Sequence, residues 1–225
     1  FTVTQAANGN YGAANATTTL TVTAATPSLT ASLSATSVAY AGTAPTLSYT
    51  SPSSGAVTYT SSNTAVATVS GSTITIVGVG STTFTATQAA NGNYDTATST
   101  VTLTVTTATP TLSGFALSSS SVVYGAAAPT ITAPTSASAG AITYSSGTTS
   151  VATIDSNTGA ITIVGIGSTT LTATQAANGN YASTTTNITL TVTAPPTPVL
   201  TFSTPGSASV SIGNTLSNVA TSSLS

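Results

Sequence analysis

A chain of 225 residues with no Lys, Arg, His, Cys, Met or Trp carries only two charged side chains, Asp95 and Asp155, and a formal net charge of −2. General acid–base catalysis needs a group titrating near neutrality and a nucleophilic hydroxyl needs a neighbouring base, so the many Ser and Thr have nothing to activate them and no enzyme is expected. Zinc-type donor sets and the cations that neutralise phosphates or anionic lipids are missing as well, so the sequence predicts no cofactor, no metal and no nucleic-acid partner.

The hydrophobic fraction of 40% is ample for packed cores, while Thr and Ser must supply the surface that charges usually provide. The bias toward β-branched Thr, Val and Ile points to an all-β protein. No run of about 18 apolar residues is present, so direct membrane insertion is not expected either. The missing Cys leaves the redox compartment open.

The octapeptide "TQAANGNY" recurs unchanged at Thr4–Tyr11, Thr87–Tyr94 and Thr174–Tyr181. The spacing is that of a small β-domain. Around it, "GAVTYTSSNTAVATVSGSTITIVGVGSTTFTATQAANGNY" (Gly55–Tyr94) aligns with "GAITYSSGTTSVATIDSNTGAITIVGIGSTTLTATQAANGNY" (Gly140–Tyr181), which has two more residues in its "DSNTG" turn. "ATPSL" at Ala25–Leu29 and "ATPTL" at Ala108–Leu112 set the boundaries. Residues 1–25 are expected to be the last strands of a preceding domain. Two complete domains, 26–107 and 108–194, follow, and 195–225 begin another. Phe1 then falls in mid-strand, so the chain reads as part of a longer or processed polypeptide.

Taken in order, the first complete domain has period-two segments near 28–34, 37–41, 45–50, 56–61, 65–69, 72–77, 82–88 and 97–106, separated by Gly, Pro, Asn and Ser turns. Val101, Leu103 and Val105 fall on one face of the last segment and Thr102, Thr104 and Thr106 on the other. Ile74 with Ile76, and Phe84 with Ala86, share inner faces in the same way. Seven or eight short strands in a domain of this length describe an Ig-like β-sandwich, and the chain as a whole reads as tandem Ig-like β-sandwiches forming an elongated rod.

These segments carry a resemblance. The succession "VTYTSSNTAVATVSG", "ITIVGVGSTTFTATQAANGNY" and "TLTVTTATP", with "VVYGAAAPTI" near the start of the second copy, resembles the tandem bacterial Ig-like domains (group 2-like) of large secreted and cell-surface proteins and adhesins. The resemblance covers essentially the whole chain. It implies an extracellular, cell-surface location and a spacer or adhesive role, and it transfers no catalytic residue. The near absence of charge departs from that family.

In a sandwich of this order the octapeptide closes the penultimate strand and turns into the last. Asn-Gly-Asn suits a turn with positive φ, and the Tyr ring suits the open end of the core. An architectural role therefore accounts for each residue, with a binding loop as the alternative. Alternating strand directions place this turn at the N-terminal end of its own domain and the "VGVGS" turn at the C-terminal end of the one before. An interdomain joint made of Val77, Gly78, Val79, Gly80 and Ser81 with Asn178, Gly179, Asn180 and Tyr181 is the resulting expectation, stiffened by Pro110 in the linker. Asn15 and Asn187 fit the N-glycosylation pattern on outward positions. "DSNTG" at Asp155–Gly159 lacks the bidentate Glu of a calcium loop and reads as a hairpin turn.

With so little charge the surface permits self-association, through outward Thr rows or edge strands. The expected function is a non-catalytic extracellular structural protein, a stalk, filament or sheath of the bacterial surface, with like chains as partners. An adhesin module binding a glycan or protein receptor through its loops is the alternative. The incomplete ends are expected either to continue in both directions or to be completed by strand addition between subunits.

Overall fold

Alternation of β-branched and small residues dictates extended structure. In the computed structural model, which describes residues 1–197, 199–201 and 221–223, every regular element among the described residues is a strand. Two compact units are present: Phe1–Thr109 together with Gly179–Ala182, and Pro110–Asn178 together with Ser183–Ser225.

The first unit opens with a hairpin of β1 (Thr2–Gln5) and β2 (Ala14–Thr17), whose side chains are all exposed. Its sandwich contains β3 (Thr30–Leu33), β4 (Ser37–Ala39), β5 (Leu47–Thr50), β6 (Val57–Ser61), β7 (Ala67–Ser70), β8 (Thr73–Ile76), β9 (Gly80–Gln88) and β10 (Ala97–Thr106). All eight expected strands are present, each within about two residues of its expected ends. One sheet has the order β4-β10-β9-β6, with β4 parallel to β10 and the other pairs antiparallel. The pairs β3-β5 and β7-β8 supply the opposite layer. The chain thus changes sheet between β3 and β4, as Ig-like sandwiches do at their first strand.

The second unit repeats the plan with β11 (Ala116–Leu117), β12 (Ser121–Val123), β13 (Ile131–Thr132), β14 (Ile142–Ser146), β15 (Ala152–Ile154), β16 (Ile161–Ile163), β17 (Gly167–Gln175) and β18 (Thr184–Thr193). Its sheet is β12-β18-β17-β14, again with the first pair parallel, and β11-β13 and β15-β16 complete it. β19 (Val199–Thr201) pairs antiparallel with β20 (Thr221–Ser223). The rest of the expected start of a further domain, 195–225, lies largely outside the described residues.

Period two places the cores. In the first unit Leu47, Val66, Ala67, Ile74, Phe84, Leu103 and Val105 are buried against each other. Val151, Ala152, Leu171, Leu190 and Val192 do the same in the second. Outward positions carry Thr, and across the β9–β10 ladder the Thr83 and Thr102 hydroxyls pair at 3.2 Å. Because Leu103 is fully buried and its neighbour Thr102 is exposed, urea unfolding should separate them: Leu103→Ala should cost about 3 kcal/mol and Thr102→Ala no more than about 0.5 kcal/mol.

Candidate functional site: the repeated turn and its contacts

The penultimate strand of each unit is apolar in the middle of its inner face and polar at both ends. In β9 the inward residues are Thr82, Phe84, Ala86 and Gln88, all buried, and in β17 they are Thr169, Leu171, Ala173 and Gln175. A hydroxyl or amide at such a position costs stability unless it is hydrogen-bonded.

Thr82 Oγ1 accepts the Asn63 N–H at 3.0 Å and pairs with Ser61 Oγ at 2.8 Å, holding the loop that leads to β7. Thr169 Oγ1 repeats this with the Thr148 N–H at 2.9 Å and Ser146 Oγ at 2.9 Å. At the other end, the Gln of the octapeptide is a latch. Gln88 Nε2 donates to the carbonyls of Ser53 and Gly55, both at 3.0 Å, and its Oε1 accepts from Ser51 Oγ at 2.6 Å. Gln175 Nε2 donates to Ser138 O at 2.9 Å and Gly140 O at 3.1 Å, while its Oε1 meets no donor among the described residues. A Cβ on Gly55 or Gly140 would collide with the carbonyl oxygen of Ala89 or Ala176, so each "GA" is Gly for close approach of the backbone.

After the latch comes the turn. Asn91 and Tyr94 exchange N–H···O bonds at 3.0 and 3.1 Å around Gly92 and Asn93, and Gly92 takes φ +58°, a two-residue hairpin geometry that only Gly adopts freely. Asn8 and Tyr11 close the first copy identically, both bonds at 3.1 Å, with Gly9 at φ +59°. The turn also grips a linker. Ala25 donates its N–H to Asn93 O at 2.9 Å and accepts from the Asp95 N–H at 3.0 Å, and Ala108 bonds in the same manner to Asn180 O at 3.0 Å and the Ala182 N–H at 2.9 Å.

Of the residues expected at a joint, Val77, Gly78, Val79, Gly80 and Ser81 and the turn residues Gly179, Asn180 and Tyr181 all belong to the first compact unit, whereas Asn178 belongs to the second. Within that unit Asn180 Oδ1 accepts the Val79 N–H at 2.9 Å. The Tyr181 ring meets Tyr40 edge-on, centroids 5.5 Å apart at 86°, a geometry worth about 0.5–1.5 kcal/mol beyond burial. Val77 and Gly78 give their N–H groups to Val66 O at 2.8 and 3.1 Å, and Ser81 Oγ lies 3.5 Å from Leu103 O. Val77 remains 44% exposed and Val79 37%. Tyr40 was not among the expected residues; its signal is "VAYAG" aligning with "VVYGA".

Asn15 and Asn187 are both exposed, on β2 and β18. The "DSNTG" segment is a self-contained turn: Asp155 Oδ1 accepts the Thr158 N–H at 2.7 Å, Thr158 Oγ1 at 2.8 Å and the Asn157 N–H at 3.0 Å. Those donors, the Thr158 backbone N–H first, hold its carboxyl below the usual carboxylate range. The open grooves on the second unit are lined by Tyr124, Ala126, Ala128 and Ile161–Ile163 and by Pro129, Ile131 and Gly159, without a charged side chain.

No protein-family model matches the chain, and no curated protein matches it. Among solved structures it is similar to Drosophila N-cadherin EC1-4, with 12% identity over 69% of this chain and 46% of that one, TM-score 0.31. It is similar to domains 4 and 5 of the S-layer protein SbsC, with 20% identity over 76% and 100%, TM-score 0.28. A C-terminal 282-residue fragment of intimin, solved with the intimin-binding domain of its translocated receptor, gives 14% identity over 76% and 64%, TM-score 0.31. The chain spans less than half of the N-cadherin chain it resembles. These are likenesses of fold, and the assignment to β-sandwiches rests on the chain's own strand order.

Two measurements follow from the latch and the acidic turn. Ser51→Ala strips the donor from buried Gln88 Oε1, whereas Ser136→Ala, at the equivalent position, removes only the acceptor of the Ser138 N–H, so chemical unfolding should show the first to be worse by about 1 kcal/mol. For Asp155 the folded value lies below the unfolded one of about 3.9, so its contribution is present above pH ~4 and is lost as pH falls through the folded value. Thermal unfolding of Asp155→Ala should lose that acid-limb dependence, leaving a flatter profile below pH ~4 than the parent chain.

Proposed function

We propose that this chain is a stretch of a non-catalytic, extracellular structural protein of the bacterial cell surface, built of group 2-like Ig-like repeats at 26–107 and 108–194 and assembling with like chains into a stalk, filament or sheath. The observation that carries this reading is a surface with two carboxylates and no cation over 225 residues, faced with Thr. Proteins stay apart in solution largely by charge repulsion, and this one has almost none to offer. A polymer outside a cell gains from the same composition, since its folding is indifferent to salt and nearly so to pH. It also presents no Lys or Arg for proteases that cut there.

The repeated turn fits this role. Its residues are spent on the Gln latch, the hairpin geometry and the hold on Ala25 or Ala108. The pairing of Asn180 and Tyr181 with Val79 and Tyr40 is the element we take to recur along the polymer as its joint. Exposed Asn15 and Asn187 are the positions where glycans would be attached in a host that uses the sequon.

Sedimentation across protein concentrations checks this reading. The weight-average mass should rise above the 21.5 kDa of one chain as concentration increases, and should do so equally at about 0.05 and 1 M salt, because there is no ion-pair network to screen. Monomers persisting at every concentration, together with saturable binding of a glycan or protein receptor that is lost on altering Asn91–Tyr94, would instead make the chain an adhesin module.

A further inference from the structure

Two inserted residues leave the matching sheet edges of the two units in different states. In the order β4-β10-β9-β6 the last strand is an edge, as β14 is in β12-β18-β17-β14. Ladder bonds fix which backbone groups point outward. Ala89 N–H donates to Ala56 O at 2.9 Å and Ser62 N–H to Thr83 O at 3.0 Å, so the even-numbered residues of β6 face β9. Val57, Tyr59 and Ser61 then turn their N–H and C=O groups away from the sheet. The same parity turns Tyr144 of β14 outward, and there the longer turn meets it: Ser156 O accepts the Tyr144 N–H at 3.0 Å. In the first unit Ser70–Thr73 stands where the second has Asp155–Ala160, two residues shorter, and the Tyr59 N–H meets no backbone acceptor among the described residues. β6 lies between β5 and β7 in sequence, and residues 26–107 are described throughout.

The residues of β6 select what can add to this edge. "VTYTS" places Thr58 and Thr60 symmetrically about Tyr59, with both Thr side chains exposed. Those two Thr continue rows that already cross the sheet: Thr58 lies beside Thr87 and then Thr98, and Thr60 beside Thr85 and then Thr100. A second β6, antiparallel with Tyr59 opposite Tyr59, sets Thr58 against Thr60 at two places and prolongs both rows. The same register gives every outward N–H an outward C=O. No charged side chain stands between Phe1 and Tyr94, so no like charges are brought together at this edge.

We propose that β6 is a pairing edge for the β6 of a second copy of this chain, the two strands running antiparallel about a two-fold axis at Tyr59 and joining two four-stranded sheets into one of eight. Tyr59 exchanges its backbone bonds with its own equivalent, and Val57 exchanges with Ser61. The contact is isologous, so it closes on a pair of chains lying side by side. This pairing rests on the self-association proposed above and gives it a surface and a symmetry.

The full chain carries the test, and because it has no Cys, introduced thiols report the register. Thr58 and Thr60 of paired copies form a non-hydrogen-bonded pair with Cα atoms about 4.5 Å apart, within disulfide reach, whereas Thr58 and its own equivalent lie beyond that reach. An equal mixture of Thr58→Cys and Thr60→Cys chains, oxidised with glutathione disulfide, should therefore yield a covalent dimer that neither variant yields alone. Thr143→Cys mixed with Ser145→Cys, the equivalent positions on β14, should stay unlinked. Replacing Ser70–Thr73 by the sequence of Asp155–Ala160 gives Tyr59 an acceptor within its own chain. That exchange should weaken association about tenfold or more, and equally at about 0.05 and 1 M salt, where the added carboxylate is screened. Association without the mixed disulfide, equal cross-linking through β14, or association undiminished by the longer turn overturns the β6 pairing and leaves self-association standing. A parent chain that stays monomeric at every concentration overturns both.

Discussion

A primary amide buried at the end of a β-strand is the interaction on which each domain depends. Gln88 is fully buried, and its Nε2 reaches two carbonyls, of Ser53 and Gly55, that no strand ladder satisfies. An Ig-like sandwich must close its open end where strands leave one sheet for the other, and backbone groups freed there need partners. The amide supplies two donors in one plane and ties the segment preceding β6 to the strand that begins the turn. Everything downstream is placed by this tie. The Gly at 55 lets the two backbones approach, the hairpin starts at Asn91, and Tyr94 comes to lie beside the linker residue Ala25. Gln175 does the same for the second unit with one interaction fewer, since its Oε1 has no donor among the described residues.

How much of this was legible depends on the kind of information the residues carry. Strand positions were, because Val101, Leu103 and Val105 against Thr102, Thr104 and Thr106 leave one choice of face. The parity of β9 was equally plain for Phe84 and Ala86. Carrying it two residues either way would have put Thr82 and Gln88 inside as well, and buried polar side chains at fixed parity would have marked the latch. Composition hid it, since Gln and Thr are by habit assigned outward. The parallel pairing of β4 with β10 is not encoded locally. It follows from which strands neighbour each other in three dimensions, which neither alternation nor turn residues specify. Likewise Tyr40 could not be linked to Tyr181 from spacing, although its repetition at Tyr124 was visible.

The two units also show what two inserted residues accomplish. The longer "DSNTG" turn carries Ser156 back against β14, where its carbonyl accepts the Tyr144 N–H at 3.0 Å. Tyr144 becomes buried and stacks on Phe115 at 5.9 Å, whereas its counterpart Tyr59 in the first unit is only half-buried. The Asp155 carboxylate, one of two charges in the chain, is spent on holding the turn that covers this edge. An exposed strand edge is a template for unwanted pairing, and most proteins guard it with Lys or with an inward charge.

Lacking Lys altogether, this chain must guard its edges by other means, and that bears on the geometry of any assembly. The parallel edge strands β4 and β12 are three residues each, too short to template a partner sheet, and in the second unit the far edge is partly engaged by the turn before Ala160. The longest edge left to side-to-side pairing in these four-stranded sheets is β6 of the first unit, Val57–Ser61, which lacks the turn that covers β14. At one end of the second unit's sheet, strand-connecting segments leave Tyr124, Val164 and Ile166 exposed. In a chain without charge, discrimination has to come from such shape and donor–acceptor matching. Within the first unit the repeated turn shows such matching, Asn180 Oδ1 taking the Val79 N–H and the Tyr181 ring meeting Tyr40 edge-on, whereas Thr-covered faces offer interchangeable hydroxyls.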